Sequence, residues 1–124
     1  MGALADLRGK AADALTPGDG DDWDVHPLPV DAIVPPAFML IWSDPWLTPA
    51  THCQWSARLD VICVSNRVDV EPGVEILETL VETAIARLAG AGLPAITAGR
   101  PANFEVGGLL YLASRLTLSQ PVSP

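Results

Sequence analysis

The sequence predicts an α+β fold: a mostly antiparallel sheet flanked by two helices, in the order α-β-β-β-α-β-β, packed as two layers. Three features point to it. Residues 52–66 alternate, with Cys53, Trp55, Ala57, Leu59, Val61 and Cys63 on one face and Gln54, Ser56, Arg58 and Asp60 on the other. Residues 72–88 repeat apolar side chains at helical spacing through Val74, Leu77, Val81, Ala84, Ile85 and Leu88. Prolines and glycines fall between these runs, where they end helices and strands.

Residues 3–15 form the first expected helix. Leu4, Leu7, Ala11, Ala12, Ala14 and Leu15 make its apolar set, and Thr16-Pro17-Gly18 stops it. The acidic stretch Asp19-Gly20-Asp21-Asp22 is a polar loop without the residue order of a calcium site. Residues 23–28 are a short strand at a sheet edge, because Pro27 and Pro29 follow at once. Residues 37–43 are a continuous apolar run of strand length, which predicts cover on both faces. Asp44-Pro45-Trp46-Leu47-Thr48-Pro49 is expected to be a loop, and residues 44–51 the connection of an antiparallel hairpin to the strand at 52–66.

On that strand the second face turns apolar at Ile62 and Val64. The second helix opens near Asp69 and Pro72, and Gly90-Ala91-Gly92 closes it. A short strand follows at 95–98. The last strand region, 104–119, contains Gly107-Gly108, which predicts a bulge or a tight bend. Residues 120–124 are expected to fray. The whole of 1–124 reads as one domain.

Composition narrows the function. The 124 residues carry 15 Asp and Glu against 7 Lys and Arg, a net charge of −8, with Lys10 the single lysine. A groove that neutralises many phosphates is not expected from such a balance. No apolar run is long enough for a membrane span, and the first ten residues have no apolar leader core, so a soluble intracellular protein is expected. Cys53 and Cys63 stand ten positions apart in one strand, about 33 Å if it is fully extended. A disulfide needs less than about 7 Å, so both are expected as small buried side chains.

The residues of chemistry do not assemble. His26 and His52 lie in different segments, and His52 alternates in facing with Cys53. No zinc spacing, nucleophile elbow or phosphate loop is present in the sequence. No catalytic, cofactor-binding or metal site is therefore expected. What stands out is surface. Glu71, Glu75, Glu78 and Glu82 fall within roughly 60° of arc on the second helix, opposite its apolar stripe. Trp46 sits in the expected loop, either folded onto the core or serving as a contact anchor.

The order and spacing of these segments resemble the tail terminator proteins of long-tailed, siphovirus-type phages, especially those of actinobacterial hosts. The resemblance covers nearly the whole chain. It is carried by Leu4-Ala5-Asp6-Leu7-Arg8, Trp23-Asp24-Val25-His26, Pro36-Ala37-Phe38, Asp44-Pro45-Trp46-Leu47 and Trp55-Ser56-Ala57-Arg58-Leu59-Asp60-Val61. The acidic helix 77–88, Phe104-Glu105-Val106-Gly107-Gly108 and the strand 110–118 complete it.

The resemblance implies a structural virion protein at the head–tail junction, with no enzymatic activity and no cofactor. Its partners would be itself, as a homohexameric ring, the major tail tube protein, and the connector or stopper on the head side. Such a ring caps the tube, stops its polymerisation and offers the joining face for the head, and genome DNA passes through the lumen. On this basis Glu71, Glu75, Glu78 and Glu82 are expected to face the lumen. Asp44, Pro45, Trp46, Leu47, Gly107 and Gly108 are expected to make subunit or tube contacts. The competing expectations are another neck protein, a stopper or adaptor, and, from a different class, a small enzyme, binding protein or regulatory adaptor.

Overall fold

The computed structural model describes residues 2–18, 20–51, 54–67 and 73–122. Along the chain these form α1 (Ala3–Ala14), β1 (Asp24–His26), β2 (Ala37–Thr51), β3 (Gln54–Arg67), α2 (Gly73–Gly90), β4 (Ala95–Ala98), β5 (Ala102–Val106) and β6 (Leu109–Val122). The α+β fold with two helices and a mostly antiparallel sheet is as the sequence predicts. The last expected strand region divides into β5 and β6 about the Gly107-Gly108 turn, so this pair makes the tight bend and not a bulge.

The sheet runs β1-β2-β3-β6-β4, and β5 pairs with β6 on the side that β4 also uses. β6 is its hub. It pairs with β3 from Tyr111 to Val122, with β4 at Leu116–Leu118, and with β5 from Leu109 to Ala113.

Alternation in the central strands feeds two separate cores. On one face Phe38, Leu40, Ala57, Leu59, Val61, Cys63, Leu116 and Leu118 pack against Leu7, Ala11 and Leu15 of the α1 region and against Leu77, Leu80, Ala84 and Leu88 of α2. Both helices therefore lie on the same side. α2 ends where Gly92 turns to φ 77°. The Gly92 N–H donates to the Ala89 carbonyl at 3.0 Å and the Leu93 N–H to the Leu88 carbonyl at 2.8 Å, which is a Schellman cap that drops Leu93 into the core. Trp23 ties the helix ends together. Its Nε1 donates to the Leu15 carbonyl at 2.8 Å, its ring meets Phe38 edge-on at 5.7 Å, and the Arg87 guanidinium lies 4.9 Å over its centroid.

The opposite face holds Ala37, Met39, Ile62, Val64, Tyr111 and Ala113. It is covered by the segment 27–36, which links the parallel pair β1 and β2 and lays Val30 and Ile33 on this cluster. The Tyr111 hydroxyl donates to the Ile33 carbonyl at 3.4 Å. The expected two-sided cover of 37–43 is met by the helices on one side and this strap on the other.

Three expectations are corrected. Residues 120–122 do not fray, because they finish β6 in pairing with Ala57, Ser56 and Trp55, and Val122 is buried against the helix-side core. Residues 44–51 are not a loop, because β2 continues through them to Thr51, which pairs with Gln54. His52 and Cys53, which the sequence places in the strand, lie outside the described residues. β1 covers β2 only at 37–39, so beyond them β2 pairs with β3 alone among the described residues; Pro45 falls in the break between Trp42 and Leu47, and Pro49 adjoins the one between Pro49 and Thr51. Trp55 shares the helix-side face as predicted, yet it is 39% exposed, because the core ends at Ala57 and Val122.

Gly107 carries the strap. Its φ is +59°, and an added Cβ would run into the Asp31 carbonyl, whereas at Gly108, φ +83°, the Cβ would meet nothing. Gly108→Ala should lose about 1 kcal/mol for the left-handed backbone alone. Gly107→Ala should lose clearly more, because the strap must also move. Urea denaturation of the two variants checks the order.

Candidate assembly surfaces

The expected contact residues Asp44, Pro45, Trp46 and Leu47 are brought together by an irregularity in β2. Trp42 pairs with Leu59 and Leu47 with Ala57, so the four residues 43–46 stand opposite Arg58 alone. A bulge of this size lets the strand re-aim its side chains. Leu47 packs against the helix-side core, while Trp46 stays 43% exposed and rests edge-on against Trp42, centroids 5.2 Å apart. Trp46 is therefore neither folded into the core nor loose. It is propped by a second indole at the end of the sheet where Trp55 is also exposed.

The bulge is held by a group that sequence reading placed on a polar face and nothing more. Asp60 is only 2% exposed. Its Oδ1 accepts from Ser43 Oγ at 2.6 Å and from Thr117 Oγ1 at 2.8 Å, and its Oδ2 accepts from Arg115 Nη1 at 2.7 Å. Ser43 is the first residue of the bulge, so one carboxylate ties β2, β3 and β6 at its root. The available signal was an acid between Leu59 and Val61 in a strand whose face turns apolar at Ile62. Its partners are distant in sequence, which hid the network.

On α2, Glu75, Glu78 and Glu82 are exposed along the side away from the sheet, as the periodicity required; Glu71 lies outside the described residues. Exposed Val74 and Ile85 flank them. Beside this face, Leu77, Val81, Ala98 and Pro101 line a groove of about 220 Å³ with Glu78 and Glu82 on its rim. Gly107 and Gly108 form the β5–β6 turn, next to exposed Leu109 and Leu110. The structure thus separates the expected contact residues into two places, the β2 bulge and the β5–β6 turn, and Gly107 is already engaged with the strap of its own chain.

Among the described residues no group of three or more His, Cys, Asp or Glu could hold a metal ion, and no helix is long and apolar enough to cross a membrane. Cys63 is a free thiol buried between helices and sheet, and burial pushes its pKa up from about 9 to about 12. Comparison with protein-family models and with curated proteins finds no match.

Two outcomes are expected. Asp60→Ala should destabilise by roughly 2–3 kcal/mol, because the Ser43 and Thr117 hydroxyls lose their acceptor inside the sheet, and the fluorescence of the Trp42–Trp46 pair should change before global unfolding. The Cys63 thiol holds its proton more tightly when folded, so its contribution is intact below about pH 9 and is lost as pH rises toward 12. Stability measured across that window should fall less steeply in Cys63→Val than in the unaltered chain.

Proposed function

We propose that this chain is a tail terminator. Copies assemble head to tail into a six-membered ring on the finished tail tube, stop further addition of tube subunits, and present the joining face to the head connector. The observation that carries this reading is the end of the β2–β3 hairpin, where Trp46 is held out on Trp42 by a bulge that Asp60 anchors. A rigid, half-exposed indole on a fixed strand is contact material, since aromatic anchors supply much of an interface's energy at small entropic cost.

The outer face of α2 supports the same reading. Glu75, Glu78 and Glu82 give a wall of one sign, and a wall that repels phosphates lets DNA slide without sticking. In this arrangement α2 faces the lumen and the hairpin end faces the tube or a neighbouring subunit. The ring requires no bond-making step and no cofactor.

The deciding experiment is electron microscopy of particles made without this gene. Overlong tubes or tails without heads are expected, and tails of normal length joined to heads would refute the proposal. Trp46→Ala provides the finer test. It should cost the isolated chain only about 1 kcal/mol of stacking, leaving the fold intact by circular dichroism, while the yield of head-joined tails falls. Unchanged joining would remove the hairpin end from the contact.

A further inference from the structure

The apolar arc of α2 is wider than the sheet covers. Leu77, Leu80, Ala84 and Leu88 turn to the core. Helical spacing sets Val74, Val81 and Ile85 along an adjoining line, within roughly 40° of arc and about 16 Å long. Val74 is 51% exposed and Ile85 40%. Between them Val81 lines the groove of about 220 Å³, whose far wall is Ala98, Gly99 and Pro101. That wall is where β4 gives way to β5, so among the described residues no strand closes over this side of the helix.

Acids border this strip. Glu75, Glu78 and Glu82 are exposed along its outer side. Past the far wall β5 adds another: Phe104 and Val106 turn to the strap-side cluster, so exposed Glu105 alternates to the helix side. No base lies on α2 between Val74 and Ile85. Of the bases nearby, Arg87 is engaged with Asp21 and the Trp23 ring. Arg100 lines a cavity on the opposite, strap side, with Ile62, Phe104 and Ala113. A straight apolar strip of about three helical turns, bordered by one sign of charge, is the complement of one face of an amphipathic basic helix.

We propose that the groove between α2 and the β4–β5 break docks an amphipathic basic helix of another protein. Its apolar side chains seat on Val74, Val81 and Ile85, and its Lys or Arg side chains lie beside Glu75, Glu78 and Glu82. A second copy of this chain supplies no such helix. Its seven basic residues are scattered, and the closest pair, Arg8 and Lys10, shares α1 with Asp6 and Asp13. Nucleic acid and anionic lipid are repelled by the same acids. The proposal goes beyond the ring reading and does not rest on it: acids that repel phosphate along a lumen also attract ammonium and guanidinium groups.

Fluorescence anisotropy of a labelled synthetic peptide of two Leu-Lys-Lys-Leu-Leu-Lys-Leu heptads, titrated with the purified chain at low and at high salt, tests it. Saturable binding that weakens with salt is expected, and the same peptide with Glu at every Lys should not bind. The double variant Glu78→Lys, Glu82→Lys should bind about tenfold or more weakly. Ile85→Asp should weaken binding as well, although it adds a negative charge. The double variant Asp22→Lys, Asp24→Lys makes the same change in net charge beside β1 and should bind as the unaltered chain does. All five side chains are exposed, so each variant should keep the native circular dichroism spectrum. A peptide that does not bind, binding that Ile85→Asp leaves intact, or an equal loss in the Asp22, Asp24 variant would overturn the proposal. Self-association, seen by sedimentation and abolished by Glu78→Lys with Glu82→Lys, would put a second copy in the groove and overturn it too. Peptide binding by a chain absent from particles would leave the groove standing and remove the terminator reading; a chain that caps tails and binds no peptide would do the reverse.

Discussion

Among the described residues one charged side chain is buried, Asp60, and the far end of the sheet depends on how it is satisfied. A carboxylate taken out of water must find donors, or burying it costs several kcal/mol. Asp60, on β3, finds them on both neighbouring strands: Ser43 on β2, Arg115 and Thr117 on β6. Because Arg115 is half exposed, its charge remains solvated while the hydroxyls complete the shell. The arrangement fixes where β2 leaves regular pairing. That in turn sets where Trp42 stops and where Trp46 is presented. A polar requirement inside the sheet is thereby converted into the position of an apolar group on its surface.

The same sheet divides its apolar residues between two unequal covers. The helical side is made of long, periodic elements and holds most of the large buried side chains. The other side is closed by a ten-residue strap whose own backbone must pass close to the β5–β6 turn, which is why glycine stands at position 107. The strap is also what allows β1 to run parallel to β2 in a sheet otherwise antiparallel. A residue expected to serve intermolecular contact thus has an intramolecular duty as well.

Much of the fold was legible because its signals are local. The alternation of β3 showed both faces, down to the change at Ile62. The apolar run at 37–43 announced cover on two sides. Gly92 marked the end of α2, and the spacing of Glu75, Glu78 and Glu82 gave their common exposure. What was not legible depends on distant partners. Pro45 and Pro49 argued for a loop, and nothing local reveals that β2 is uncovered along that length. Trp55 kept the core register, but where the core ends is set by Val122. The partners of Asp60 come from 17 and more than 50 positions away, and Asp31 and Gly107 meet only after the strap is laid. Sequence spacing showed the acidic stripe of the candidate site and missed the support of the indole.

The place of β6 has a consequence for how the chain is born. It is the last described strand in sequence, yet it sits in the interior of the sheet, between β3 on one side and β4 and β5 on the other. While a ribosome is still making it, three earlier strands lack their neighbour and their apolar faces lack closure. Native structure must therefore wait until synthesis has passed residue 122, and premature stops within the final strand leave a polypeptide with helices, a hairpin and no centre.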